Sequence, residues 1–237
     1  MFNMLATMDK FTRRDYYEAY IETYGDKTPD AIDYALRSEV AAKNILHVGR
    51  DYYTYPKGKG FYKYNYSDAT ERLVQKIQSE YPLVDFQIFE LAQLNTFVNH
   101  LYAHNSIFVS VENDAMDYVF DSLKNEYPGQ IMLKPKVNEY FRYLVDDQIV
   151  IMRLPSESPK GLDAPWKSRL EKILVDIAVD KLLTNIVSES EYEAIFEQSF
   201  SKFLLDTSTM QRYANRKGAG MKFRKCIEEY SDVEIGK

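Results

Sequence analysis

The sequence predicts an α/β protein in two parts: a winged helix-turn-helix over residues 1–64, then, over residues 65–237, an α/β domain with a sheet of at least four strands and a helical C-terminal segment. Three observations predict it. Two helix-periodic segments meet at a glycine turn and lead straight into an alternating aliphatic-tyrosine stretch. Strand and helix patterns then alternate, and the last quarter has helical periodicity throughout.

In "FTRRDYYEAYIETYG", Thr12 stands three residues before Asp15, the spacing of a capping box, and Tyr17, Tyr20, Ile21 and Tyr24 form a helical stripe. The expected helix runs from about 13 to 24. Gly25-Asp26-Lys27 makes the turn, Thr28 is a natural N-cap, and Pro29 suits the first helical position. Ile32, Ala35, Leu36 and Val40 then repeat on one face, so the pair is a helix-turn-helix candidate. In "NILHVGRDYYTYPKGKG", Leu46 and Val48 alternate, the chain reverses at Gly49 to Asp51, and Tyr53 and Tyr55 alternate again. A hairpin in this place is the wing of a winged helix, with Lys57, Lys59 and Lys63 extending a basic edge.

Ser67 caps a helix in "DATERLVQKIQSEY". Next come strand "VDFQIFEL", a helix from Asn95, strand "SIFVSVE", a helix after Asn113, strand "QIMLKP", a mixed segment and strand "QIVIMRL". A Pro/Ser/Gly loop from Pro155 to Gly161 follows. "WKSRLEKILVDIAVDKLLTNI" is apolar on most sides and reads as a buried helix. Two more helices are expected around 189–204 and 207–229, the second interrupted at "KGAG".

Charge is unevenly placed: residues 1–64 hold ten Lys/Arg against nine Asp/Glu, and the remainder twenty against twenty-seven, within a total of −6. This permits nucleic-acid contact at the N-terminal end and disfavours it elsewhere. A single cysteine, Cys226, excludes an intrachain disulfide. No apolar run reaches the ~18–20 residues of a membrane span. With no charged-then-apolar opening, a cytoplasmic location is expected.

The searches for catalytic motifs return absences. No glycine is followed by serine and no Asp-x-Asp occurs, so the nucleotidyltransferase signature is missing; no (Asp/Glu)-x-Lys triplet of restriction-type nucleases occurs. "PKGKG" and "RKGAG" lack phosphate-loop spacing, and there is no G-x-S-x-G elbow. His100 and His104 are spaced for one helix face, but the Glu of H-E-x-x-H is replaced by Leu101. Lys172, Asp176 and Asp180 have the spacing of an ion-pair ladder, which is usually solvated. No cofactor and no metal are expected.

In a helix-turn-helix the second helix enters the major groove while basic groups hold phosphates. The candidate contacts are Arg13, Arg14, Lys27, Thr28, Tyr34, Arg37, Ser38, Lys43, Arg50, Tyr53, Lys57 and Lys59. Arg37 would read guanine. Asp30 and Asp33 on the same helix are poor phosphate partners.

Three segments carry a family resemblance. "HVGRDYYTYP", "SRLEKILVDIAVDKLL" and "MQRYANRKG" resemble the Gly-then-Tyr wing, the Leu-Glu-Lys helix with a following Val-Asp, and the Tyr-Ala-x-Arg segment of AbiEi-type antitoxins of type IV toxin–antitoxin (abortive infection) systems. The matching positions are Gly49, Arg50 and Tyr53; Leu170, Glu171, Lys172 and Asp176; and Tyr213, Ala214 and Arg216. The resemblance implies a bacterial, non-enzymatic phage-defence protein. Its N-terminal domain would bind double-stranded DNA at its own promoter as a repressor, as two copies on paired half-sites. Its C-terminal domain would counteract a nucleotidyltransferase-type toxin, directly or indirectly. The acidic second helix departs from that pattern.

Two other readings stay open. Convergence of Asp85, Glu90 and Glu112 at one pocket would mark an enzyme acting on nucleic acid. Wing lysines turned toward the second domain would mark a winged-helix protein-interaction module.

Overall fold

A computed structural model describes residues 5, 8, 10–41, 44–56, 59–98, 100–161 and 163–231. Strand β1 (Phe11–Thr12) runs into helix α1 (Arg13–Tyr24), and helix α2 (Pro29–Ala41) is followed by strands β2 (Leu46–Gly49) and β3 (Tyr52–Thr54). The capping box forms as its spacing predicts: Asp15 N donates to Thr12 Oγ1 at 3.2 Å, and Thr12 N donates to the Asp15 carboxylate at 2.6 Å. Gly25 ends α1 at φ 75°, a conformation that disfavours side chains with a Cβ. The three strands form an antiparallel sheet in the order β1-β3-β2.

The buried face of α1 differs from the expected stripe. Tyr16 and Ala19 are buried, against Phe11, Ile32 and Leu36, whereas Ile21 and Tyr24 are exposed. The rotation lets Tyr17 reach α2, where its hydroxyl donates to Asp33 Oδ1 at 2.6 Å and so finds the partner that a half-buried phenol needs.

Helix α3 (Asp68–Glu80) starts at the Ser67 cap, whose Oγ accepts from Thr70 N at 3.2 Å. Strands β4 (Phe86–Glu90), β5 (Ser106–Val111), β6 (Ile131–Leu133) and β7 (Gln148–Arg153) form one sheet in the order β4-β5-β7-β6. β4 is antiparallel to β5, while β5, β7 and β6 are parallel. Alternate residues feed two cores. Ile88, Ile107, Val109, Ile149 and Ile151 face α3 and α4 (Met116–Leu123). Phe89, Phe108 and Val150 face α5 (Val137–Tyr143), α6 (Leu170–Val179) and the C-terminal helices. Burial on both faces explains why these strands read as nearly continuous apolar runs.

The helix expected from Asn95 does not form. A 3-10 turn covers Leu91–Thr96, and Asn95 Oδ1 accepts from Tyr102 N at 2.9 Å while Asn105 Oδ1 accepts from Ala92 N at 3.1 Å. These side-chain amides capture backbone donors and so compete with a helix. The segment expected to be one long helix divides at Asp180, whose Oδ1 accepts from Leu182 N at 2.9 Å, into α6 and the short α7 (Leu183–Ile186). Helices α8 (Tyr192–Lys202), α9 (Thr207–Arg216) and α10 (Gly220–Tyr230) complete the fold, with the break at "KGAG" where it was expected. No helix among the described residues is long and apolar enough to cross a membrane.

The N-terminal unit is tied to the C-terminal helices. Lys59 Nζ donates to Phe200 O at 2.8 Å, and Gly60 bridges Phe203 in parallel, with Leu204 N donating to Gly60 O at 3.0 Å.

Candidate functional site

Helix α2 and the hairpin frame a groove of about 550 Å3 that gathers Arg13, Arg37 and Tyr53 of the expected DNA contacts, together with Asp33 and His47. Arg13 is bound to Asp33 through both Nε, at 2.8 Å, and Nη2, and Arg37 lies 4.0 Å from the same carboxylate. The hydrogen bond from Tyr17, and then Arg13, hold Asp33 below the usual carboxylate range. Tyr53 is half-buried between Phe11 and His47, its ring 4.9 Å from the imidazole. Arg14 pairs with Glu18 at 2.9 Å. Lys27, Thr28, Tyr34, Ser38 and Arg50 are exposed. Lys59 points to the C-terminal helices, and Lys43 and Lys57 lie outside the described residues.

The histidine pair is not on a helix. His100 is 90% exposed and lies 3.6 Å from Glu191, because the segment it occupies is irregular. Among the described residues no group of three His, Cys, Asp or Glu side chains is arranged to hold a metal ion. Asp85, Glu90 and Glu112 do not converge. Asp85 precedes β4 and pairs with Lys160, with Glu112 beside it, whereas Glu90 closes the other end of that strand. Glu90 is buried and accepts from Tyr64 Oη at 2.6 Å, Ser67 N at 2.9 Å and Ser67 Oγ at 2.8 Å, a tie between β4 and the start of α3.

A connected cluster of polar groups lies inside the protein, and the resemblance segments build most of it. All ten residues of α6 are buried, including Glu171, Lys172 and Asp176. The expected solvated ladder is therefore a buried network, because α6 packs between the sheet and α9 and α10. Lys172 Nζ donates to Asp176 Oδ2 at 2.6 Å and Ser110 Oγ at 3.3 Å. Asp176 Oδ1 accepts from Lys217 Nζ at 2.6 Å and from Tyr213 Oη at 3.0 Å. Lys217 also reaches Asp180 at 3.4 Å.

Burial on its own would push the Asp176 carboxyl up, but the ammonium groups of Lys172 and Lys217 more than offset it and hold the carboxyl below its usual range. Burial likewise opposes the charged Lys217, yet Asp176 and Asp180 raise its pKa above the ordinary lysine value. Burial, with Asp176 next, pushes the Tyr213 phenol up. Of the other resemblance positions, Leu170 and Ala214 are buried in the apolar core, and Glu171 is held by Arg169, with Nε to Oε2 at 3.0 Å. Arg216 is exposed and pairs with Glu157.

The sequence pattern described as a family of unknown function (DUF6577) matches residues 31–232. The chain belongs to that family. The DUF6577 match takes in most of α2, the hairpin, the whole four-stranded sheet and every member of the buried network; it begins after Arg13, Arg14, Lys27 and Thr28. A comparison with curated proteins finds no match.

Sequence reasoning missed Lys217, the second cation on Asp176. Its position directly after the Tyr-Ala-x-Arg segment, on the last turn of a helix rich in polar residues, was the available signal. It also missed Tyr64 and Ser67 as partners of Glu90, because the contact spans from 23 to 26 positions and no local pattern encodes it.

Proposed function

We propose that this chain is a DNA-binding transcriptional autorepressor and antitoxin, acting without catalysis of its own against a nucleotidyltransferase-type toxin. The observation that carries the reading is the outward face of α2: Tyr34, Arg37 and Ser38 are exposed beside a hairpin whose tip presents Arg50. Two helices at a glycine turn followed by a strand pair is the layout of a winged helix, in which the second helix reads bases and the hairpin holds phosphate. One such unit reads few bases, so two copies would act on paired half-sites.

The antitoxin half rests on the resemblance to AbiEi-type antitoxins. Its support is that two of the three resemblance segments meet in one network around Asp176. Glu90 stands at the opposite end of β4 from Asp85 and Glu112, so the three carboxylates form no cluster, which favours this reading over a nuclease-like enzyme.

A second reading is favoured by one observation. Lys59, though exposed, bonds to Phe200 O of the C-terminal helices, as a winged helix used for protein docking would arrange it. A gel-shift titration against the upstream DNA of its own gene and a scrambled duplex, at two salt concentrations, separates the two. Selective binding that weakens with salt and is lost in Arg37→Ala supports the repressor. No binding at moderate salt assigns the unit to protein docking.

A further inference from the structure

The carboxyl ends of β6 and β7 open onto a cleft of about 640 Å3 that the DNA-binding reading does not use. Among the described residues, six cations line it: Lys134 directly after β6, Lys136 before α5, Arg153 at the end of β7, Lys181 after α6, and Arg216 and Lys217 at the end of α9. The single carboxylate in the lining, among the described residues, is Asp180. In a chain of net charge −6 this is a local reversal of sign.

Two of the cations are already committed, Lys217 to Asp176 and Asp180, and Arg216 to Glu157. Among the described residues, Lys134, Lys136, Arg153 and Lys181 are exposed and form no ion pair with a carboxylate. Four unpaired cations around one concavity repel each other, and an anion held between them relieves that repulsion. Lys134 adopts φ 45°, a backbone conformation uncommon for a residue with a Cβ, where the chain leaves β6 for α5 at the mouth of the cleft.

The place in the fold points the same way. β5, β7 and β6 are parallel, and open parallel sheets gather their ligands beyond the carboxyl ends of the strands. The floor is apolar, from Val137, Met152 and Leu182, with the buried Val150 beneath it. Its size falls within the roughly 300–1,000 Å3 of small-molecule sites. An apolar floor inside a cationic rim matches a ligand with a flat aromatic part and a phosphorylated part.

We propose that this cleft binds a nucleotide, its base against the Val137–Met152–Leu182 floor and its phosphates on Lys134, Lys136, Arg153 and Lys181. The assignment is independent of the N-terminal unit. Titration calorimetry of the full chain with ADP, inorganic pyrophosphate and adenosine tests it, alongside the triple variant Lys134→Gln/Lys136→Gln/Lys181→Gln. These three residues are exposed, so the variant keeps the wild-type melting temperature, and it also keeps any DNA gel shift.

ADP is expected to bind saturably and more tightly than pyrophosphate or adenosine, with affinity falling as salt rises. In the variant, ADP affinity drops about ten-fold or more, as removal of charge-assisted hydrogen bonds requires. Absence of saturable ADP binding, or equal ADP affinity in the variant, overturns the site. Pyrophosphate binding as tightly as ADP removes the base from the assignment. A short single-stranded oligonucleotide that binds more tightly than ADP and is lost in the variant replaces the nucleotide with a nucleic-acid strand.

Discussion

The Tyr213 hydroxyl donates to Asp176 Oδ1 at 3.0 Å across 37 positions of sequence, pinning α9 to α6 inside the protein. Lys172 and Lys217 complete the shell of that carboxylate. Three side chains, from α6 and the end of α9, therefore depend on one buried charge. Taking such groups out of water costs several kcal/mol per ion in general, which is recovered only while every partner is present.

Replacing Asp176 with Ala leaves Lys172 buried at 3% exposure without its counter-charge. The expected loss is about 3–5 kcal/mol of folding stability. Tyr213→Phe removes one hydrogen bond, keeps both ammonium groups on Asp176, and costs about 1 kcal/mol. Urea unfolding curves measure both, and an equal loss in the two variants would contradict the central place of the carboxylate.

The same network gives stability a pH window. Asp176 has a depressed folded pKa, so its contribution is present above the unfolded value of about 4 and is lost as pH falls through the lower folded value. Lys217 has a raised folded pKa, so its contribution is complete below about 10.4 and is lost as pH climbs through the higher folded value. The Tyr213 phenol, raised by burial, adds to the alkaline loss from about pH 10 upward. Urea midpoints across pH should form a plateau with a fall on each side. Lys217→Met should lower the plateau and flatten the alkaline side, and an unchanged alkaline slope would remove Lys217 from the account.

Cys226 is buried, and burial followed by Glu229 pushes its thiol up to about 12. Thiolate is the reactive form, so a disulfide reagent at about pH 8 should label the native protein slowly and the urea-unfolded protein at the rate of a free thiol. Fast native labelling would mean that α10 opens readily.

Lys59 and Arg50 should separate by assay. Lys59→Ala breaks the bond to Phe200 O and should cost about 0.5–1.5 kcal/mol of stability with little effect on DNA affinity. Arg50→Ala, at an exposed hairpin turn, should leave the melting temperature unchanged and weaken DNA binding on all sequences, with a shallower salt dependence. If Lys59→Ala weakens DNA binding as much as Arg50→Ala, the lysine leaves Phe200 when DNA binds.

Local chemistry made much of the fold legible. Thr12-x-x-Asp15, Thr28-Pro29 and Ser67 each mark a helix start because caps and first-turn residues act over three or four positions. The four strands of the larger sheet are legible because their apolar runs are short and bounded. The helix that failed at Asn95 was lost to Asn95 and Asn105 side-chain bonds, which reach 7 and 13 positions and leave no periodic trace.

By itself the sequence determined the starts of α1, α2 and α3, the four strands of the larger sheet, and that the last quarter is helical. It could not say that Lys172 and Asp176 are buried, since an i, i+4 pair has the same spacing on a wet face as in a core. Only the packing of α6 between the sheet and α9 decided that. Nor could it assemble Lys134, Arg153, Lys181 and Arg216 into one cleft, because they come from four separate elements. Parallel strands bring their carboxyl ends to one edge, and it is that edge, set by strand order, that gathers the charge.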